Sequence, residues 1–243
     1  MESLRLWGTI VNTLTVVLGS CLGLMIKILA GKVSGKLMSK GSEIGARLSD
    51  VLMNGIALCS LVIGISGAIK TKNALIMIIS IAVGGIIGEL LNLDAGINLL
   101  GNKLEERVKG KHGRIAEGFV SASLLFCVGA MTIVGSLNSG ISADHQMLYT
   151  KSVLDLVSST VLAASLGIGV LFSSVFVFTF QGAITLLAQW IAPFLADSVI
   201  TEMTAVGSLL IIGLGLNLLK MTNIKVMNYL PAMFMPILLC QLF

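Results

Sequence analysis

Charge is scarce in this chain of 243 residues: 12% are Asp, Glu, Lys or Arg, and 56% are hydrophobic. An ordinary soluble domain carries about 25% charged residues, so composition argues against a water-soluble fold. Histidine is nearly absent. His112 and His145 both fall in predicted loops and are too far apart for an H-E-x-x-H pair. The four cysteines, Cys21, Cys59, Cys127 and Cys240, lie inside apolar runs with no C-x-x-C spacing. They read as small buried hydrophobes, not as metal ligands or disulfides. No phosphate-binding G-x-x-x-x-G-K-[ST] run occurs, which argues against ATP-driven pumping by this chain alone. No Ser/His pair stands inside a span, and no Arg-rich voltage-sensing helix is present. An enzyme is therefore not expected, nor is a cofactor, a bound metal or a nucleic-acid partner.

What is abundant is long apolar sequence. Mean hydropathy is +0.99, and the apolar runs extend for about twenty residues. In hydrocarbon the backbone must satisfy its own hydrogen bonds, which leaves helices or closed barrels. Barrel strands alternate over about ten residues, so unbroken runs of this length select helices. The run from Leu6 to Ala30 is too long for the core of a signal peptide and lacks a small-residue cleavage pattern.

The expected class is an all-α polytopic membrane protein with about eight transmembrane helices. Helix 1 is expected over Leu6–Leu29, followed by a basic segment, Gly31–Leu48. Helices 2 and 3, Val51–Ile69 and Ala74–Leu91, flank a tight turn at Lys70–Asn73. Leu93, Ile97, Leu100, Leu104 and Val108 recur at helical spacing, which predicts an amphipathic surface helix or a solvated connector within 92–116. Helix 4 is expected as one span over Glu117–Leu137. Helix 5 is expected from Lys151 to Leu171, a break at Phe172–Ser174, then helix 6 to Leu195. Met203–Leu219 and Val226–Phe243 complete the set, with Pro231 kinking the last helix or setting its start. Residues 6–91, 92–116, 117–171 and 174–243 thus form a first unit, a connector, a central pair and a second unit of one domain.

Twelve of the sixteen Lys and Arg residues fall in the segments before helix 2, before helix 4 and around the helix 7–8 turn. Arg5, Lys70, Lys72 and Lys151 fall on the other side. The basic side is expected in the cytoplasm of a bacterial cell, with both termini outside. Setting 51–91 against 202–243 at an offset of 151 aligns Gly64 with Gly215, Ser66 with Asn217 and Thr71 with Thr222. Each pair of helices follows one with a mid-span amide, Asn12 or Gln181. Helices 1–3 and 6–8 would then be inverted copies around a central pair, an architecture of secondary transporters. Ordinary helical pairing is the alternative.

The candidate functional residues follow from what is costly in lipid. Asp155 is placed about one turn into helix 5, with Lys151 on the same face four residues earlier. The pair is either a functional site within the bilayer or an interfacial anchor. Glu89 ends helix 3. Glu117 and Asp50 open helices, where a carboxylate also favours the dipole. Asn12, Gln181 and Asn217 need partners in hydrocarbon and act as interhelical glue or line a polar path. Ser121, Ser123, Gly129, Gly135 and Ser136 make helix 4 the most polar span. Its small residues permit close packing or a discontinuous helix.

Four stretches together resemble a known family: Gly8–Gly23 (GTIVNT…GSCLG), Gly88–Leu90 (GEL), Glu117–Ser136 and Gly207–Ala232. They are similar to the YqgA/YdfK-type bacterial inner-membrane proteins, a domain-of-unknown-function family. The resemblance implies a multi-pass bacterial cytoplasmic-membrane protein, and it supplies no established site residues. The expected function is a secondary transporter or permease for a small solute or ion, working by alternating access. Its partners would be the lipid bilayer and that solute, with a homo-oligomer as a further candidate. The alternatives are an oligomeric ion channel and a membrane scaffold or sensor without transport.

Overall fold

The computed structural model describes residues 5–37, 41–96, 99 and 115–242, and helix is the only regular structure among them. The chain forms α1 (Trp7–Leu37), α2 (Gly41–Ala68), α3 (Ala74–Leu91), α4 (Ile115–Cys127) and α5 (Ala130–Ser142). It continues through α6 (Gln146–Leu166), α7 (Gly169–Ile191) and α8 (Asp197–Leu218). A 3-10 helix over Val226–Phe234 and a short α9 (Pro236–Leu239) follow. Most of the surface helix expected within 92–116 lies outside the described residues.

Polarity runs opposite to that of a soluble bundle. On α6, Val153, Leu154, Val157 and Val161 are exposed, while Lys151, Ser152, Asp155 and Ser159 are buried. On α1, Leu14, Leu18, Leu22 and Ile26 face outward and Thr9, Asn12 and Ser20 face inward. Apolar surface outside and ionisable groups turned inward is the arrangement that hydrocarbon selects. Trp7–Leu29, Ala74–Leu91, Gly169–Phe194 and Asp197–Leu218 are each long and apolar enough to cross a membrane, and α4 with α5 forms a fifth candidate. The length of α6 would also suffice, but Lys151, Asp155 and its hydroxyl residues lower its hydropathy.

Glycine contacts fix the direction of each pass. A Cβ on Gly19 would meet Ser159 Oγ at 2.1 Å, and one on Gly23 would meet the Thr160 carbonyl at 2.2 Å. This four-residue spacing of glycines brings α1 and α6 together side by side and parallel. Ile115 against Gly169 and Gly140 against Thr185 set the α4–α5 pair parallel to α7. In contrast, α2 and α8 are antiparallel, as are α3 and the segment 226–234. Gly88 lies against the Asn228 carbonyl and Gly84 against Ala232. These contacts set the relative direction of four helix pairs, and by length and composition four helices, or five counting α4–α5 as one, could cross a membrane.

The α2–α8 contact is reciprocal. A Cβ on Gly64 would meet Ile212 and the Ser208 carbonyl, whereas one on Gly215 would meet Leu61 and the Ala57 carbonyl. Each residue of the first set becomes its counterpart in the second by the same offset of 151. Two surfaces that contact each other's equivalents in this way are isologous.

Several expected boundaries move. The basic segment expected as a loop over Gly31–Leu48 is largely helical, because α1 runs on to Leu37 and α2 already begins at Gly41. Helix 4 is two helices, α4 and α5, bent by 61°. The break falls at Val128–Gly129, and Gly129 has φ +149°, open to glycine and strained for other residues. The break expected at Phe172–Ser174 lies instead at Gly167, whose φ is +83°. Ser173 and Ser174 stay inside α7 because their hydroxyls donate to the Val170 and Leu171 carbonyls at 2.7 Å each. Finally, α6 begins at Gln146 rather than Lys151. The last expected helix is a 3-10 run that contains Pro231, followed by α9 opening on Pro236.

Candidate functional site

The earlier start of α6 changes what Lys151 and Asp155 are. Asp155 stands nine residues into a 21-residue helix, about 13 Å from its first turn. That is near the middle of α6, not at its end. Both side chains are buried, at 6% exposure each. Lys151 Nζ donates to Asp155 Oδ2 across one turn. Asn12 on α1 donates to the same oxygen from Nδ2, at 3.1 Å. Among the described residues Oδ1 of Asp155 receives no hydrogen bond.

The broken helix meets this pair. Lys151 Nζ lies 5.9 Å from the centroid of the Phe126 ring, within cation–π range. Phe126 and Cys127 close α4, and the Phe126 carbonyl, which has lost its helical donor, accepts from Thr132 Oγ1 at 3.0 Å. Gly129 lets the chain turn, and its carbonyl accepts from the Thr132 and Ile133 amides. The break thus places helix termini close to the Lys151 ammonium, which is paired with Asp155.

Helix α7 packs against α1 as well as against α6. Thr9 and Thr185 share a hydrogen bond of 3.3 Å. About one turn from them along each helix stand Asn12 on α1 and Gln181 on α7, both fully buried. Among the described residues, Asn12 Oδ1 and both amide atoms of Gln181 have no partner. Neither have the hydroxyls of Ser121 and Ser123 on α4, or of Ser136 on α5. Buried polar side chains are ordinarily satisfied, and here several unsatisfied groups share the α1, α4, α5 and α7 walls. Sequence reasoning singled out each of these residues. It did not anticipate Thr9, Thr185 or Thr132, since a threonine in a span usually bonds back to its own helix.

Other expected residues sit elsewhere. Glu89 ends α3 and pairs with Lys225 at 2.9 Å, while Asn228 Nδ2 donates to its other oxygen at 2.5 Å. The hydrogen bond from Lys225 to Glu89 and the Glu89 carboxylate charge raise the Lys225 pKa above its usual value. Asn228 Oδ1 also accepts from the Asp94 amide at 2.7 Å. Asn217 is taken up by the turn after α8. Its Oδ1 accepts from Thr222 Oγ1 and the Ile224 amide, and its Nδ2 donates to the Ile224 carbonyl. Glu117 and Asn217 meet at the mouth of an open pocket of about 330 Å³, lined also by Asp94 and Lys225.

Glu202 gave no distinctive signal in the sequence. It is 2% exposed and accepts from Thr71 Oγ1 and the Lys72 amide at 2.6 Å each, and from the Asn73 amide at 3.1 Å. One carboxylate on α8 therefore holds the α2–α3 turn. At the opposite end, Glu89 and Asn228 tie α3 to the segment after α8. The two hairpins are fastened at both ends, whereas the polar centre lies among the other helices. No group of three or more His, Cys, Asp or Glu side chains suited to a metal ion occurs among the described residues.

The chain matches a family model described as "Protein of unknown function (DUF554)" over residues 7–241. It is 32% identical over 235 residues to "Uncharacterized membrane protein YdfK" of Bacillus subtilis (strain 168), covering 95% of this chain and 94% of the relative. It is also 32% identical over 213 residues to "Uncharacterized protein YqgA" of Escherichia coli (strain K12), covering 86% and 90%. No solved structure matches. With inward-facing polar residues, helices of membrane-spanning length and these relatives along nearly its whole length, the chain is a helical membrane protein that belongs to the DUF554 family.

Proposed function

We propose that the protein is a carrier for a small solute or ion, working by alternating access in the bacterial cytoplasmic membrane. The observation that carries this reading is the buried contact of Lys151, Asp155 and Asn12 beside the break between α4 and α5. Ionisable groups inside a span are costly and mark pathways more often than packing. A discontinuous helix brings backbone charge to the same centre. The reciprocal α2–α8 contact supports a second element of the reading, an inverted repeat. Two hairpins related by an axis in the membrane plane have two equivalent arrangements, and alternation between them opens the centre to either side.

In this orientation the Lys225 and Glu89 end faces the cytoplasm, as does the basic end of the chain's first hairpin, where α1 closes and α2 opens. The Lys72 and Glu202 end faces outward. Asp155 and Asn12 contact the cargo, Lys151 balances the carboxylate, and Gln181 with the α4 serines extends the path. Flux of candidate solutes into proteoliposomes, wild type against Asp155→Asn, tests the assignment. A carrier shows saturable flux that Asp155→Asn abolishes. Continuous unitary currents in planar bilayers would replace it with a channel. Absence of flux under every gradient tried would favour a scaffold.

A further inference from the structure

We infer that the cargo recognised at this centre is a small electroneutral solute with hydrogen-bond donors and acceptors, and not a bare ion; the inference rests on the carrier reading for its physiological meaning. Lys151 and Asp155 are each about nine-tenths buried and contact each other, so the centre is already balanced. A bare cation or anion added there would leave one uncompensated buried charge, which lipid strongly disfavours. What the centre leaves open is hydrogen-bonding capacity. Among the described residues the buried acceptors without a partner are Asn12 Oδ1 and Gln181 Oε1, the buried donors without one include Gln181 Nε2 and the hydroxyl of Ser136, and both hydrogen bonds to Asp155 fall on its Oδ2.

Asn12 and Gln181 come from different helices, each about one turn along its own helix from the Thr9–Thr185 bond that joins α1 to α7. A solute with a donor and an acceptor a few ångströms apart would engage both amides. A zwitterion would align its ammonium with Asp155 and its carboxylate with Lys151, and an uncharged amide would use the amides alone. Both satisfy groups that are otherwise orphaned, at no net charge.

The experiment is thermal unfolding of the purified full-length protein in micelles, at constant ionic strength. The probes are glycine, L-serine, urea and acetamide, with sodium, potassium and chloride salts as the ionic arm. At least one electroneutral probe is expected to raise the midpoint saturably, by roughly 5 °C or more at a hundredfold excess over its Kd. Gln181→Leu is expected to keep or raise the midpoint without probe, because it removes an unpaired buried amide, and to abolish the shift. Dependence on glycine or L-serine points to the zwitterion, and dependence on urea or acetamide to the uncharged amide. A saturable shift from an ion with none from the neutral probes would overturn the inference. So would a neutral shift that survives Gln181→Leu, or no shift at all, which would leave water as the occupant. Flux of a binding probe is then measured separately. Binding without flux removes the carrier and keeps the site, whereas saturable ion flux keeps the carrier and removes this cargo.

Discussion

Gly64 on α2 and Gly215 on α8 make the same contact in opposite directions, each seated against the helix that carries the other. A side chain at Gly64 must displace backbone of α8, at Ser208 and Ile212, and one at Gly215 first meets the Leu61 side chain, with the Ala57 carbonyl at 3.1 Å. Gly64→Leu and Gly215→Leu are each expected to lower stability by about 1–3 kcal/mol, Gly64 by more, since its nearest contact is 2.6 Å against 3.0 Å. Gly55→Ala, on the same helix and facing open space, should be stabilising by about 0.5–1 kcal/mol through helix propensity. Denaturation in micelles reads all three. A destabilising Gly55→Ala, or tolerance of leucine at Gly64, would show that the two helices do not pack as described.

Charge balance at the centre is checked by a double-mutant cycle. Lys151→Met leaves Asp155 uncompensated and Asp155→Leu leaves Lys151 so, and each should cost about 3–5 kcal/mol. The double variant should be more stable than either single one, because no orphan charge remains. Additive losses would mean that the two groups are separately solvated and do not pair.

Glu202 should rank among the residues most important for stability. Its three hydrogen bonds to the 71–73 turn make Glu202→Ala cost at least about 2 kcal/mol. Glu202→Gln, which keeps one acceptor, should cost less. Proteolysis at the 70–73 turn, compared between the two variants, localises the loss.

Orientation can be read by chemistry. In a background with its cysteines removed, Lys72→Cys should react with a membrane-impermeant maleimide from outside intact cells. Lys225→Cys should react only after the membrane is opened. Labelling of both from one side would contradict this orientation.

The Glu89–Lys225 pair is exposed and screened. Its lysine is held above the ordinary range, so whatever stability it adds is fully present below the ordinary lysine pKa. That stability is lost only as pH rises through the raised value. Between pH 6 and 9 the stability difference between wild type and Lys225→Met should therefore stay flat. A steep change in that interval would point to a different partner for Glu89.

Much of this arrangement was legible in sequence because hydrocarbon penalises polarity. Asn12, Lys151, Asp155 and Gln181 stood out as groups that a span does not tolerate without reason, and the structure brings the first three into contact. Breaks were harder. Ser173 and Ser174 looked like a turn, but hydroxyls that bond back within the helix are as compatible with continuation. Gly129 and Gly167, which do break the chain, sit in runs where glycine also serves close packing. The start of α6 was missed because polar residues before Lys151 read as loop. Glu202 was missed because capping a distant turn is a tertiary relationship, with no local pattern to announce it.

The polarity of α6 also bears on how the protein is made. Lysine and aspartate near the centre of a helix each oppose insertion by about 2.5–3.5 kcal/mol, so α6 is a poor candidate to enter lipid on its own. Its buried face needs Asn12 and the glycines of α1, which are synthesised more than a hundred residues earlier, and the Gly167 turn joins it closely to the apolar α7. On this physical argument α1 would precede α6 into the bilayer, and α6 would enter with α7 as a hairpin. The residues that form the polar centre would then also set the moment at which the membrane accepts the second half of the chain.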